Sequence, residues 1–267
     1  MKKTLLTAGI LAATSFAHAD VLTTIKPLGF IANAITDGVT ETQVLLPVSA
    51  SPHDYSLKPS DVEKLKSAEL VVWVGHGLES FLEKSVEKLP ESKVLELGEV
   101  PAIEEIIEAT HHEDHDHDHD HGHHQHAHGH DHHGHDHSHD WHIWLSSDAS
   151  KIAAEQIADR LTQLYPTKKA KIAENLAKFK TAVDAKTVQL KAQLGPVKGK
   201  GYYTFHEAYG YFESTYGLNP LGSFTINPTV APGAKTLAKI KEHIAEHKAV
   251  CLFAEPQFTP RVVESLS

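Results

Sequence analysis

The feature that most constrains this chain is the segment 111–140, which cannot take part in a packed core. It contains 16 of the 23 histidines, eight Asp or Glu residues and three Gly. Such a composition leaves too little apolar surface to offset the entropy of ordering the backbone, so we expect this segment to be disordered in the absence of metal. The fold must therefore be built from the residues on either side, and 111–140 is an insert between them.

The overall composition narrows the functional classes. The chain has 267 residues, with 40% apolar and 22% charged side chains, which suits one large globular domain or two of ordinary size. A net charge of −10 argues against a nucleic-acid-binding protein, which presents a basic face. The single cysteine, Cys251, excludes a disulfide framework and a cysteine-built zinc finger. No apolar run reaches the roughly 18 residues that a transmembrane helix needs.

The N-terminus has the pattern of an export signal. A basic head at 1–3 precedes a mostly apolar stretch at 4–16, and Ala-His-Ala at 17–19 has the small residues of a signal-peptidase site. We predict cleavage after Ala19, which removes residues 1–19; an ordinary buried first helix is the alternative. In an oxidising compartment, Cys251 is then either a free thiol or the partner of a cysteine beyond this sequence.

Apolar segments and helical patterns alternate through the first half of the chain. Leu70 to Val74 is a continuous apolar run ended by Gly75, as expected for a parallel strand buried on both faces. The other predicted strands cover 21–25, 44–46 and 94–97, with helical patterns from Phe30, from Ser60 and over 78–89. This alternation predicts an α/β fold with a parallel sheet.

The second half repeats the alternation around a long helix. From Thr167 to Leu194 there is no Gly or Pro, which predicts one helix that acts as a rigid connector. The other predicted elements are strands at 143–145, 201–205 and 250–254, and helices ending near Leu164, over 208–216, over 237–247 and from Pro260.

The predicted architecture therefore has two α/β lobes, each with a mostly parallel sheet flanked by helices. The first lobe covers 20–166 and includes the insert, the connecting helix covers 167–195, and the second lobe covers 196–267. Because the helical pattern stops at Ser267 before it is complete, we expect the second lobe to be truncated.

Three histidines lie next to predicted strands: His53, His142 and His206. Ligands of open α/β sheets bind at the carboxyl ends of strands, and these residues come from both lobes, so a shared site would lie between the lobes. Three neutral imidazoles, completed by a carboxylate or water, form a good tetrahedral zinc site. The alternative is that each is a hydrogen-bonded structural histidine, although no structural role suits the 16 histidines of the insert.

The remaining histidines are weaker candidates for metal ligands. His243 and His247 are four residues apart on a predicted helix and could chelate an ion, but the charged residues around them favour a solvated face. His76 is a candidate for the rim of the cleft rather than a ligand.

No catalytic motif is complete in the sequence. The His-Glu pair at 206–207 begins a zinc-peptidase motif, yet Gly210 stands where the second histidine is required. We therefore predict a protein that is not an enzyme.

Several motifs resemble those of the metal-specific solute-binding proteins of ABC importers. ASPHDYSLKPSD at 50–61 is similar to the first ligand motif of that family, WHIWLS at 141–146 to the second and FHEAYGYF at 205–212 to the third. FAEPQF at 253–258 is also similar to the family pattern. An acidic, histidine-rich insert between the first and second motifs resembles the zinc-specific ZnuA branch of the family, and the similarity extends from about Val21 to the end of the chain.

The resemblance implies a periplasmic zinc-binding protein with a metal site between two lobes. It implies that His53, His142 and His206 are the ligands and that Zn²⁺ is delivered to an inner-membrane permease driven by a cytoplasmic ATPase. Pro52 replaces an acidic residue of some relatives, and an aspartate used by others lies beyond this sequence. The fourth ligand is therefore open among water, that aspartate and Glu255. We expect a monomer; the alternative is a periplasmic zinc or nickel buffer that is not coupled to transport.

The insert is interpreted as an accessory that collects or senses zinc rather than as the transport site. Flexible strings of His and Asp offer many overlapping weak sites and raise the metal concentration near the cleft. The predicted low-affinity ligands are His111, His112, His115, His117, His119, His121, His123, His124, His126, His128, His130, His132, His133, His135, His137 and His139.

Overall fold

The structure is a computed structural model that describes residues 20–109, 139–225 and 232–255, together with Glu264 and Leu266. The predicted signal peptide, the insert up to residue 138 and most of the helix predicted from Pro260 lie outside the described residues. Within the described ranges, no helix is both long enough and apolar enough to cross a membrane.

Strands and helices alternate through the described residues as the sequence predicts. The strands are β1 (Val21–Thr23), β2 (Thr42–Val44), β3 (Leu70–Trp73), β4 (Val94–Glu96), β5 (Gly201–His206), β6 (Asn219–Thr225) and β7 (Ala249–Leu252). The helices are α1 (Lys26–Thr36), α2 (Pro59–Ser67), α3 (Glu83–Val86), α4 (Pro101–Ala109), α5 (Ser147–Leu164), α6 (Lys169–Leu194), α7 (Gly210–Tyr216) and α8 (Ala234–Ala245).

The first half of the chain forms a four-stranded sheet in the order β2-β1-β3-β4, in which each pair is parallel. All four residues of β3 are buried, as is typical of a parallel strand whose two faces are covered. Leu28 and Ile35 of α1 and Ile157 of α5 belong to the same core. The predicted parallel sheet is confirmed.

Helix α6 is the predicted long connector. It has 26 residues, which corresponds to about 39 Å at 1.5 Å per residue, and it begins after a 3₁₀ turn at Pro166–Lys168. Near its start, Asn175 is buried and donates hydrogen bonds to the main-chain oxygens of Ile35 and Asp37 at 2.9 and 2.8 Å. These bonds satisfy carbonyls at the end of α1 and anchor the start of α6 on the first half.

The second half forms a parallel sheet in the order β6-β5-β7, so the second predicted sheet is also confirmed. Among the described residues its core is smaller than that of the first half. The buried residues of this core are Tyr203, Phe205, Phe224, Ile240, Ala249 and Leu266.

The apolar run at 250–254 has the pattern of a buried strand, but the strand that forms there is partly exposed. The strand β7 covers Ala249–Leu252, and within it Val250 is 56% exposed and Cys251 is also exposed. Among the described residues β7 pairs only with β5, so it lies at the edge of the described part of the sheet. A continuous apolar run does not distinguish an edge strand from a central one.

Two further local predictions are corrected. The strand predicted at 143–145 is a 3₁₀ turn, because the following Ser146 accepts a hydrogen bond from the backbone N–H of Ala149 and begins α5. The helix predicted over 78–89 is reduced to a 3₁₀ turn and α3, because the buried Glu79 holds the preceding loop through the backbone N–H groups of Val74 and Gly75. Helix α4 and strand β6 were not predicted.

Candidate metal centre

Three segments bring the predicted ligands together. His53 lies in the loop between β2 and α2, and His206 is the last residue of β5. His142 precedes the segment 143–145, which is a 3₁₀ turn leading into α5 rather than the strand that the sequence predicts there. Among the described residues these three histidines form a group that could hold a metal ion. The candidate ligands therefore come from both halves of the chain.

The three imidazole rings converge through their Nε2 atoms. Nε2 of His142 lies 3.3 Å from Nε2 of His53 and 3.2 Å from Nε2 of His206. One ligand nitrogen from each ring lies within 4.8 Å of the others. Nitrogens about 2.0–2.1 Å from a tetrahedral Zn²⁺ ion stand about 3.3 Å apart. Two edges of the histidine group therefore already have the length that a tetrahedral metal ion requires.

Burial differs among the three rings. His142 and His206 are 7% and 5% exposed, whereas His53 is only partly buried. The ring of Trp144 packs edge-on against His142 with its centroid 5.2 Å away. The two buried rings therefore form the inner wall of the site, and His53 forms its more accessible side.

The ring orientation of His142 is set by Asp140. The Oδ1 atom of Asp140 accepts from the backbone N–H of His142 at 2.9 Å and lies 2.7 Å from Nδ1 of the ring. A carboxylate at Nδ1 favours the tautomer whose proton is on Nδ1. The Nε2 lone pair of His142 is then free to face the other two rings.

The ring of His206 has a corresponding partner in Glu255. The Oε2 atom of Glu255 lies 2.7 Å from Nδ1 of His206, and its Oε1 atom accepts from the hydroxyl of Tyr209 at 2.7 Å. Burial raises the pKa of Tyr209, and the hydrogen bond to Glu255 raises it further, so the hydroxyl remains a donor. The structure thus places Glu255, a predicted candidate for the fourth ligand, on the far side of the His206 ring.

His76 lies beside the site without joining the histidine group. Its ring contacts Trp141 with the centroids 5.3 Å apart, and its Nδ1 atom lies 3.5 Å from the carboxylate of Glu96. Its side chain is 64% exposed. The Trp141 ring in turn lies so close to Gly77 and Gly98 that a Cβ atom at either position would overlap it. These glycines allow Trp141 to pack immediately before His142.

The two histidines of the α8 region do not form a chelating pair on a helix. Nδ1 of His243 lies 2.6 Å from the hydroxyl of Tyr203. His247 lies after the end of α8 and has a left-handed backbone with φ of 58°. It therefore serves as the turn residue that ends the helix.

Comparison with known proteins decides the family. A family model described as ZnuA, the periplasmic component A of a zinc-uptake complex, matches residues 21–267. The chain belongs to the ZnuA family. The high-affinity zinc uptake system protein ZnuA of Haemophilus ducreyi is 73% identical over 267 residues, covering 100% of this chain and 86% of that protein. The protein of the same name from Haemophilus influenzae is 52% identical over 292 residues, covering 100% of this chain and 87% of that protein.

Solved structures agree with this assignment at the level of the fold. A crystal structure of ZnuA matches with a TM-score of 0.73 and 22% sequence identity, covering 93% of this chain and 86% of that one. The ZnuA family is one of periplasmic solute-binding components of transporters rather than of enzymes. The resemblance inferred from the motifs is thereby confirmed.

In this ZnuA family member, some residues around the three histidines could not be recognised as part of the site from the sequence. The sequence places Asp140 in the insert, although its position two residues before His142 is a usable signal. Tyr209 and Tyr211 belong to the third motif, which assigns neither of them a role of its own. The hydroxyl of Tyr211 donates to the main-chain oxygen of Asp140 at 2.6 Å. No local pattern indicates that contact, because the two residues are 71 positions apart.

Proposed function

We propose that this chain captures Zn²⁺ between its two halves and delivers it to a membrane permease driven by an ATPase. The proposed ligands are the Nε2 atoms of His53, His142 and His206. The observation that carries this proposal is the separation of 3.3 and 3.2 Å between Nε2 of His142 and the other two Nε2 atoms, which suits a tetrahedral ion. The names of the relatives, which are zinc uptake proteins, support the same cargo.

Water is the proposed fourth ligand. Glu255 is the alternative within the described residues, but one of its oxygens binds Nδ1 of His206 and the other accepts from Tyr209. A position filled by water can be exchanged readily, which suits a site that must release its ion. Three nitrogen ligands also disfavour Mn²⁺, which prefers oxygen ligands, whereas Ni²⁺ must be tested directly because imidazoles suit it as well.

The proposal extends to the location and partners of the chain. The family is periplasmic by description, and the export signal at 1–19 with cleavage after Ala19 would bring the protein to that compartment. We propose a monomer that contacts the permease of an ABC importer. In this proposal the insert remains an accessory that binds additional zinc weakly near the cleft.

The decisive experiment is a zinc titration of residues 20–267 in competition with a chelator of known affinity. We expect one tight site, which His206→Ala weakens by at least about 100-fold, since even the outer partners of metal ligands contribute 10–100-fold. His243→Ala is the matched control, because it removes another histidine that is hydrogen-bonded to a neighbour in the same half. Tight binding retained by His206→Ala would overturn the proposed site.

One further measurement distinguishes a transport protein from a zinc buffer. Another distinguishes zinc bound in the cleft from zinc bound by the insert. Growth under zinc starvation should require the chain if it supplies a permease, whereas a buffer would be dispensable. Deletion of residues 111–138 should lower the number of bound zinc ions and preserve the tightest site. The deletion must stop before Asp140, because that carboxylate contacts His142.

A further inference from the structure

We propose that Asp140 and Glu255 are positioning residues whose two negative charges make the metal site selective for a divalent over a monovalent cation. This inference rests on the proposed function, because it assumes that the metal binds at the Nε2 atoms of the three histidines. It adds to that function a determinant of specificity that lies outside the ligands.

Each of the two carboxylates makes the same kind of contact with a buried histidine, one in each half of the protein. Each lies 2.7 Å from the Nδ1 atom of a buried histidine, Asp140 at His142 and Glu255 at His206. Asp140 precedes α5 in the first half, and Glu255 follows β7 in the second. Each half therefore contributes one buried imidazole together with one carboxylate that fixes its tautomer, and His53 of the first half is the third imidazole.

The charge balance follows from these contacts. Three neutral imidazoles carry no charge, so the ligands alone do not compensate a cation that leaves water. The side chains of Asp140 and Glu255 are only 18% and 7% exposed, so solvent screens their charges weakly. Because the Coulomb energy scales with the charge of the ion, two carboxylates, each one imidazole ring away from the ion, stabilise a charge of +2 more than a charge of +1.

Amide substitutions distinguish an effect of the carboxylate charges from an effect on the orientation of the histidine rings. In Asp140→Asn the side-chain oxygen can still accept from the backbone N–H and from Nδ1–H of His142, and in Glu255→Gln the side-chain oxygen can still accept from Nδ1–H of His206. Both variants keep the shape of the side chain and remove only its charge. Asp184→Asn is the matched control, since it neutralises a carboxylate that pairs with Lys151 on the exposed surface.

The test titrates the full mature chain and its variants with Zn²⁺ and with Ag⁺ as the monovalent probe. Fluorescence of tryptophan reports on the cleft, because Trp144 contacts His142. We expect each amide variant to weaken Zn²⁺ binding by about 10–100-fold, and the pair of substitutions to weaken it further. Because the Coulomb energy of a +1 ion is half that of a +2 ion, Ag⁺ binding should weaken by only about 3–10-fold, so that the preference for Zn²⁺ over Ag⁺ falls at each step.

Other outcomes overturn the inference. If the affinities for Zn²⁺ and Ag⁺ fall equally, the carboxylates only orient the rings, and if neither falls, they have no role at the site. Thermal unfolding without metal checks that each variant is folded; should one fail, the other single variant decides. If His206→Ala binds Zn²⁺ as tightly as the parent, the proposed function itself fails. If His206→Ala loses zinc binding but the amide variants keep the parental selectivity, only the inference about Asp140 and Glu255 fails.

Discussion

The hydroxyl of Tyr211 donates a hydrogen bond to the main-chain oxygen of Asp140 across the two halves of the protein, at 2.6 Å. Tyr211 belongs to α7 of the second half, yet its side chain is buried with the core of the first half. Gly210 beside it allows a close approach, since a Cβ atom there would lie 3.1 Å from Oδ2 of Asp140. The residue that orients His142 is therefore also a point at which the halves are joined.

Removal of this hydroxyl should weaken zinc binding. Tyr211→Phe deletes one hydrogen bond, and we expect a loss of about 1 kcal/mol in the free energy of unfolding and a reduction of about fivefold in zinc affinity. The control is Tyr202→Phe, which deletes a hydrogen bond to Glu213 within the second half. It should lower stability similarly without changing zinc affinity. Equal zinc affinities for both variants would contradict a role of the Tyr211 contact at the site.

The packing of Trp141 on Gly77 predicts an effect on His142. A Cβ atom at Gly77 would lie 1.9 Å from Cε2 of Trp141, so Gly77→Ala must displace the indole ring. We expect a loss of about 1–3 kcal/mol in the free energy of unfolding. Zinc affinity should fall by about tenfold, because ligands must be held to within about 0.5 Å. Chemical denaturation and chelator competition measure the two effects.

Gly199→Ala provides the control for this substitution. No heavy atom lies within 4 Å of the added Cβ at Gly199, so the change should leave stability and zinc affinity nearly unaltered. If Gly77→Ala kept the parental zinc affinity, the position of Trp141 would not control that of His142.

The ligands could be predicted from the sequence more completely than their partners. His53 and His206 follow strand patterns, and local motifs mark all three histidines. Glu255, in contrast, is 49 residues from His206, and only the packing of β7 beside β5 brings them together. Asp140 ends a low-complexity segment rich in carboxylates, and only its position two residues before His142 distinguishes it from them.

The fold likewise contains elements that could be predicted from the sequence and elements that could not. The parallel sheets and α6 follow from patterns that extend over many residues, namely buried apolar runs and a long stretch free of Gly and Pro. The edge position of β7 and the loop held by Glu79 depend on neighbours distant in sequence. A single local pattern carries no information about such neighbours.

The left-handed turn after α8 predicts a stabilising substitution. The backbone N–H of Lys248 donates to the oxygen of His243, and that of His247 donates to the oxygen of Ile244, so the turn requires positive φ at His247. His247→Gly removes the unfavourable contact of Cβ in this region and should increase the free energy of unfolding by about 1 kcal/mol. His247→Ala should give no such increase. If His247→Gly did not increase the free energy of unfolding, backbone strain at this position would be contradicted.

Glu79 makes the stability of the chain depend on pH. Its side chain is fully buried and accepts hydrogen bonds from the backbone N–H groups of Val74 and Gly75 and from the hydroxyl of Thr24. Burial raises the pKa of Glu79 to about 7, although these hydrogen bonds act in the opposite direction. An unfolded glutamate titrates near 4.3. Between these values the folded state holds the proton more tightly, so the contribution of Glu79 to stability is present at low pH and is lost as the pH rises towards 7.

Glu79→Gln should remove this dependence. Glutamine can accept from the two backbone N–H groups through its oxygen and donate to Thr24 through its nitrogen, so the buried contacts are retained. We therefore expect the difference in unfolding free energy, variant minus parent, to increase by about 2 kcal/mol between pH 5 and pH 8. Urea unfolding of the metal-free protein at each pH measures it, with the exposed Glu87→Gln as control. A difference that stays constant with pH would mean that Glu79 is already ionised throughout this range, with its charge stabilised by the three hydrogen bonds.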